Sequence, residues 1–417
     1  MATTPANRIN SRNTRATKSS IFSVRASPTE LVPWTSASTT SSDCTFHQLA
    51  PYIGRIKTTI ARYLIDRYTA PGDLVMDPFC GSGVIPLEAA ISGRRVIASD
   101  INPYGVLLTR AKLLGPSQQE DAIERLHSSW RSALRRRSKQ DLRQVPQWVR
   151  CFFHTETLRH TLALRDELIS REDWFLLACL LGILHHQRPG FLSYPSSHLV
   201  PYLRDRLFPK DQFPEMYEER DVLSRMEAKI RRAFRRPPAC RAHSRVALCD
   251  SRKVRVPKEV KAIIASPPYM NELDYVRDNR LRLWFLERRL PDERDIPKSN
   301  PEGLFRDLMT STLTRLATAI VPDGAIILIV GDASRGGRAI DTAQVVISVF
   351  KNAPVLHEFA LARVINDLIP DVRRSRRDLS GTKSETILVF ERQLSRRLQA
   401  DQIRFASAVP TTLAEEL

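Results

Sequence analysis

Four consecutive residues combine groups that could do chemistry at a binding site: Ser266, Pro267, Pro268 and Tyr269. The serine offers a hydroxyl, the prolines offer carbonyls without donors, and the tyrosine offers a ring face. They close the stretch Lys261-Ala-Ile-Ile-Ala-Ser-Pro-Pro-Tyr269, whose apolar run Ala262–Ala265 predicts a buried parallel strand. Neither proline can donate to a ladder, so the chain must leave the sheet there. Ligands of open α/β sheets bind beyond the carboxyl ends of the strands. Ser266 and Tyr269 are therefore expected to project into a site.

A second stretch supplies a partner for the first. Leu74–Asp77 predicts a strand, and Pro78-Phe-Cys-Gly-Ser-Gly83 turns it into a helix over about 85–91. Gly93 ends that helix, and Arg95–Asp100 predicts the next strand. A further helix follows over about 105–113. This β-α-β-α series is Rossmann-like. Gly81 and Gly83 permit close backbone approach at a helix start, although the six-residue dinucleotide fingerprint is absent. Asp100 closes its strand where a ribose hydroxyl is usually held. Turn and acid together point to a nucleoside-containing cofactor.

The elements that must position these residues can be read along 417 residues, of which 42% are hydrophobic and 26% charged. That composition is ordinary for a globular protein, but the formal charge of +18 is not. Such an excess favours a polyanionic partner, nucleic acid ahead of an anionic membrane surface. No apolar run approaches the ~18–20 residues of a membrane span. The six cysteines show no CxxC pair, which fits a reducing interior better than a disulfide framework. His185, His186 and His198, with Cys151 and Cys179, match no common metal-ligand spacing, so no metal is expected.

Residues 1–44 are Ser/Thr-rich and aperiodic, and the first 29 lack Asp and Glu; a disordered basic tail is expected, an organelle transit peptide being the other reading. Thr58–Tyr68 predicts a helix stopped by Pro71-Gly72. Residues 115–244 read as a helical, strongly charged insertion containing an apolar helix Trp174–Leu184 and the clusters Arg135–Arg137, Arg231–Arg232 and Arg235–Arg236. These arginines are candidates for phosphate contacts, or else a solvated face. Val246–Asp250 predicts a strand ending in Asp250, and 281–290, 300–320 and 342–350 predict helices around an apolar strand Ala325–Val330. Leu356–Ile365 and Thr386–Glu391 predict a closing antiparallel pair, with Arg373–Arg377 in the loop between them. Residues 393–417 form a tail.

Asp77-Pro-Phe-Cys-Gly-Ser-Gly83 taken with Ser266-Pro-Pro-Tyr269 resembles the S-adenosylmethionine-dependent DNA amino-methyltransferases of the cytosine-N4 type. The first motif is shared with adenine-N6 and several RNA enzymes; the serine of the second discriminates, since adenine enzymes usually carry Asp or Asn there. The segment Phe46–Arg55 is similar to the family's cofactor-flanking stretch. The resemblance covers about 46–113 and 245–391. It implies a Rossmann-like fold with a mostly parallel seven-stranded sheet and an antiparallel closing pair. The catalytic domain would be 45–114 with 245–392, and 115–244 the candidate DNA-recognition insertion.

By the same resemblance, Asp77, Phe79, Gly81 and Gly83 line the methionine part of the cofactor, Asp100 holds the ribose and Asp250 meets the adenine amine. Ser266 and the Pro267 carbonyl would accept from the target amine, and Tyr269 would stack on a flipped base. Asn271, Asp274, Tyr275 and Arg277 are expected to shape the base pocket, and Cys80 to pack. Tyr194 and His198 are further candidates in the insertion. The implied partner is double-stranded DNA in the cytoplasm, at the nucleoid, with a restriction endonuclease partner left open. Adenine-N6 in DNA, guanine-N2 in RNA, and a catalytically silent binding module are the alternatives. Retention of all the motif residues together disfavours the last.

Overall fold

A computed structural model describes residues 43–52, 54–185, 190–193, 209, 211–239, 241–268, 279–288, 300–331, 333–335, 338–370 and 382–393. The basic tail, the 371–381 loop with its four arginines, and residues 394–417 lie outside the described residues, as do Tyr194, His198, Tyr269, Asn271, Asp274, Tyr275 and Arg277.

The first half follows the sequence pattern closely. Helix α1 (Thr58–Tyr68) precedes strand β1 (Leu74–Asp77), helix α2 (Val84–Ile91), strand β2 (Arg95–Asp100) and helix α3 (Pro103–Leu114). Asn102 starts α3 two residues earlier than expected, because its side chain accepts from the Tyr104 amide and Pro103 suits a first helical position. The insertion then runs through α4 (Gln119–Arg136), α5 (Gln147–Arg150), α6 (Thr155–Ser170), α7 (Trp174–Gly182) and α8 (Val222–Ala233).

The chain returns as β3 (Ser244–Leu248), β4 (Val260–Ala265), α9 (Arg280–Glu287), α10 (Pro301–Ala317) and β5 (Ile320–Gly331). A small hairpin, β6 (Ala333–Arg335) with β7 (Arg338–Ile340), precedes α11 (Thr342–Asn352), β8 (Phe359–Pro370) and β9 (Thr382–Arg392). The main sheet has seven strands in the order β3-β2-β1-β4-β5-β9-β8. Strands β3 to β5 pair in parallel, and β9 lies antiparallel to both β5 and β8. This is the expected Rossmann-like methyltransferase fold with its antiparallel closing pair.

Several strand boundaries depart from the sequence reading. Strand β3 ends at Leu248, so Asp250 stands in the following turn and does not close the strand. Strand β5 begins at Ile320, which the sequence had placed in a helix. Its pairing with β4 jumps from Val260↔Ile320 to Ala262↔Ala325, so Pro322-Asp-Gly324 bulges out where a missing donor costs nothing. Leu356, expected in the first closing strand, lies in a 3-10 turn (Pro354–Glu358), and the two closing strands run further at their other ends because they pair with each other past the end of β5.

Alternation along the central strands builds two cores. Ala262, Ile264, Ile327 and Ile329 join the cluster under α1–α3, whereas Ile263, Ala265, Ile326 and Leu328 join the one under α10 and α11. Each fully buried aliphatic contributes about 1.5–3 kcal/mol. Leu126, Leu162, Phe175 and Ile230 of the insertion belong to the first core, so α4 and α6–α8 are welded to the cofactor half of the sheet.

Candidate active site

The carboxyl ends of four adjacent strands form a staircase. Met76 pairs with Ile263 and Asp77 with Ala98, so Ser266 and Asp100 each stand two residues past the level of Asp77, on either side of it. At about 3.3 Å per residue that is a step of about 7 Å. Asp100 in turn pairs with Leu248, and Asp250 lies two residues beyond. The sheet thus gathers the residues expected at the site along one edge, apart from those outside the described residues.

Asp77 is 3% exposed and its Oδ1 accepts from the Phe79 amide at 3.1 Å, fixing the exit from β1. Burial pushes its carboxyl well above the usual range, with the Asp100 charge adding to this and the Phe79 amide opposing it. Asp100 uses both oxygens locally: Oδ2 accepts from the Gly81 amide and Oδ1 from the Asn102 amide, each at 2.8 Å. Burial still raises its pKa against these amides. Cys80 is buried, and burial pushes its thiol well up, first by desolvation and then by the two acids; it packs, as expected, and is no thiolate nucleophile.

The glycine turn is held from the α3 side. Gly81 and Gly83 both have left-handed backbone, at φ 45° and 72°. A Cβ on Gly83 would sit 2.6 Å from Thr109 Oγ1, and one on Gly105 would sit 2.9 Å from the Gly81 carbonyl. Helix α3 therefore presents a bare backbone at Gly105 and lets Thr109 Oγ1 donate to the Gly81 carbonyl at 3.1 Å. Lys112 Nζ donates to the Ser82 carbonyl. Sequence reasoning missed both Thr109 and Lys112. Their signal was there: Gly105, Thr109 and Lys112 share one helical face otherwise lined by apolar residues.

Phe46–Arg55 packs where the resemblance expects a cofactor-flanking segment. Tyr52 stacks on Tyr104 at 5.9 Å, and its ring would meet a Cβ on Gly81 at 3.3 Å. The Tyr104 hydroxyl donates to the Pro51 carbonyl at 2.9 Å. The segment is anchored to α2 through buried His47, 2.6 Å from Glu88, and Arg62 bridges Glu88 and Asp43 at 2.6 and 3.0 Å. Ion pairing with Arg62 and the His47 hydrogen bond hold the Glu88 carboxyl below its usual range despite burial.

On the other side of β1, β4 stops at Ala265, Ser266 is half-buried and Pro267 is buried. The helix that resumes after this turn, α9, is clamped by the insertion. Arg165 of α6 donates to the Phe285 and Leu286 carbonyls at 2.5 and 2.6 Å, and Arg288 pairs with Asp166 at 3.2 Å. Asp250 does not present an open carboxylate; Arg252 engages both oxygens, with a shortest contact of 2.5 Å, and holds its pKa below the usual range.

Several arginines expected on phosphates have partners within the chain. Arg136 pairs with Glu167 at 3.0 Å, Arg231 with Glu227 at 2.8 Å, and Arg236 donates to the Asp43 carbonyl at 3.1 Å. Among the described residues, no helix is long and apolar enough to cross a membrane and no group of three or more His, Cys, Asp or Glu could hold a metal ion.

Residues 41–109 match the N6/N4 family model described as DNA methylase. The type II methyltransferase M.MjaII of Methanocaldococcus jannaschii is 33% identical over 67 residues, which are 16% of this chain and 13% of that one. The chain thus spans about an eighth of the length of that relative. Among solved structures, TrmN from Thermus thermophilus aligns at 12% identity and a TM-score of 0.34, over 83% of this chain and 52% of that one. The rRNA methyltransferase AviRa from Streptomyces viridochromogenes aligns at 14% and 0.29, over 84% and 94%. These two scores decide nothing about substrate.

The matched segment contains the glycine turn and Asp100, where S-adenosylmethionine is expected to sit. The residues present fit that molecule. Ile101, directly after Asp100, is 72% exposed, and Leu248, the strand partner of Asp100, is 54% exposed. Aliphatic surface beside a half-buried acid suits a nucleoside, with ribose hydroxyls at the acid and the base on the side chains.

Proposed function

We propose that the protein transfers a methyl group from S-adenosylmethionine to the exocyclic N4 amine of a flipped cytosine in double-stranded DNA. The observation carrying this reading is the turn Ser266-Pro267-Pro268 at the carboxyl end of β4, beside the Asp77 turn of β1. The bound cofactor supplies a sulfonium methyl and leaves as a neutral thioether.

The chain's residues would divide the work as follows. Asp77 and the Gly81–Gly83 turn hold the methionine part, and Asp100 keeps acceptor capacity for the ribose beyond its two amides. Asp250, turned toward Arg252, is proposed to meet the adenine amine at the edge of the site. The Ser266 hydroxyl and the Pro267 carbonyl accept from the two hydrogens of the target amine. That draws its lone pair out of the ring and aims it at the methyl carbon. Bound S-adenosylmethionine would supply the methyl, its C–S bond breaking as the C–N bond forms, and one amine proton would pass to solvent. Tyr269 is proposed as the stacking face for the flipped base.

The charge of +18 supports a nucleic-acid substrate. Amino transfer to adenine-N6 in DNA or guanine-N2 in RNA is the alternative that the same cofactor half allows. Incubation with labelled cofactor and duplex DNA, followed by nucleoside analysis, tests the reading. N4-methylcytosine is the expected product. N6-methyladenine overturns the base assignment, and label on structured RNA alone overturns the DNA substrate.

A further inference from the structure

The proposed reaction makes no use of Lys112, yet this lysine is 1% exposed and reaches from α3 to the centre of the cofactor turn. Its Nζ donates to the Ser82 carbonyl, and Thr109, three residues earlier, donates to the Gly81 carbonyl. Two successive carbonyls of the turn are thus drawn toward the same helix face. A trans peptide points its N–H opposite its C=O, so drawing the Gly81 carbonyl toward Thr109 turns the Ser82 amide away from that helix face. The Gly83 amide is already used, donating to the Cys80 carbonyl at 2.7 Å. Burying an ammonium is costly, and a methionine of similar length would fill the same space without that cost.

We propose that Lys112 is a positioning residue that acts through the Ser82 carbonyl to hold the glycine turn in its cofactor-binding form. This rests on the proposed S-adenosylmethionine-dependent reaction and adds a condition to it: the turn is best held while the lysine carries its proton. The groups facing Lys112 are Cys44, His47 and Arg55 from the flanking segment, Cys80 from the turn and Glu88 from α2, while Arg241 donates to the lysine's own carbonyl. Glu88 is already engaged by His47 and Arg62. Burial, with the Arg55 charge behind it, lowers the Lys112 pKa from 10.5 to about 7.

Two consequences run in opposite directions. As pH rises through about 7 the ammonium is lost, its charge-assisted hydrogen bond weakens, and cofactor affinity falls. Over the same rise the unfolded chain still binds the proton that the folded chain has released. The lysine's contribution to stability therefore grows between about 7 and 10.5. A lysine that merely packed would affect stability and leave affinity alone.

The test uses the full chain and S-adenosylmethionine, with dissociation constants from calorimetry between pH 6 and 8 and thermal melts alongside. Lys112→Met is expected to weaken binding about tenfold at pH 6, with an unchanged or raised melting temperature. Wild-type affinity is expected to fall toward that of the variant by pH 8, and the ratio of the two removes every other titrating group. Equal affinities at pH 6, or a ratio that does not change with pH, would overturn the proposal. If the variant does not fold, a wild-type affinity that fails to fall across this range overturns it as well. No binding by wild type at any pH overturns the cofactor reading itself, and this proposal with it.

Discussion

The Gly81 amide donates to Asp100 Oδ2 at 2.8 Å, so the acid at the end of β2 braces the turn after β1 across nineteen residues of chain. The same carboxylate is proposed to hold the ribose. Asp100→Ala is expected to weaken S-adenosylmethionine binding by about a hundredfold, because it removes a charged acceptor from both jobs at once. Asp100→Asn keeps one acceptor and should fall between. Equilibrium dialysis with labelled cofactor checks the order, and equal losses in the two variants would count against the shared role.

Ser266→Ala should separate binding from turnover. The hydroxyl stands at the end of β4, on a different strand from the glycine turn that is proposed to hold the cofactor. Cofactor affinity is expected to stay within about twofold while single-turnover methyl transfer drops about a hundredfold. A parallel loss of both would assign Ser266 to the cofactor.

Asp77→Asn is expected to trade stability against binding. The folded carboxyl has its pKa raised well above 3.8, first by burial, so the folded state holds a proton that the unfolded state has lost above that pH. The group's contribution to stability therefore declines as pH rises from about 4 toward the raised value. An amide does not titrate, so the variant should be about 1–3 kcal/mol more stable at pH 7 and bind cofactor more weakly. Melting curves across pH 4–8 would show the wild-type decline and its absence in the variant.

Arg165→Met tests whether the helical insertion supports the catalytic turn. The guanidinium caps the last carbonyls of α9, the helix that resumes after that turn. Losing two charge-assisted hydrogen bonds should cost about 1–3 kcal/mol of stability and lower turnover, with cofactor affinity unchanged. An unchanged kcat in a destabilised variant would limit the clamp to folding.

Raising salt from about 50 to 200 mM should weaken DNA binding by orders of magnitude if phosphates meet the basic surface. Charge reversal at Arg136, already paired with Glu167, is expected to change this slope little and to destabilise the insertion instead. A fluorescence-anisotropy titration on a short duplex reads both effects.

The sequence by itself determined the carboxyl ends of β1, β2 and β4, the glycine turn and the serine-proline exit. Each is written locally: an apolar run reads as a buried strand, and Gly or Pro marks where the backbone must turn or stop donating. Thr58–Tyr68 and Arg95–Asp100 begin and end where the sequence reading put them. The closing antiparallel pair was legible in position and short in length, because its outer arms are ordered by pairing with each other and carry no strong apolar pattern. The bulge at Pro322-Asp-Gly324 was not legible at all, since only the register of β4 against β5 forces it.

Only the tertiary structure decided what the charged residues do. Lys112, in a mostly apolar helix, meets the Ser82 carbonyl thirty positions upstream, and Arg165 meets carbonyls more than a hundred positions downstream. Arg136 and Arg231, which the sequence offered as phosphate contacts, find carboxylates within the insertion. A charge on a helix face has no local pattern that names its partner. Which acceptor it meets depends on which elements the fold packs together, and that is set by the buried apolar faces of the whole chain.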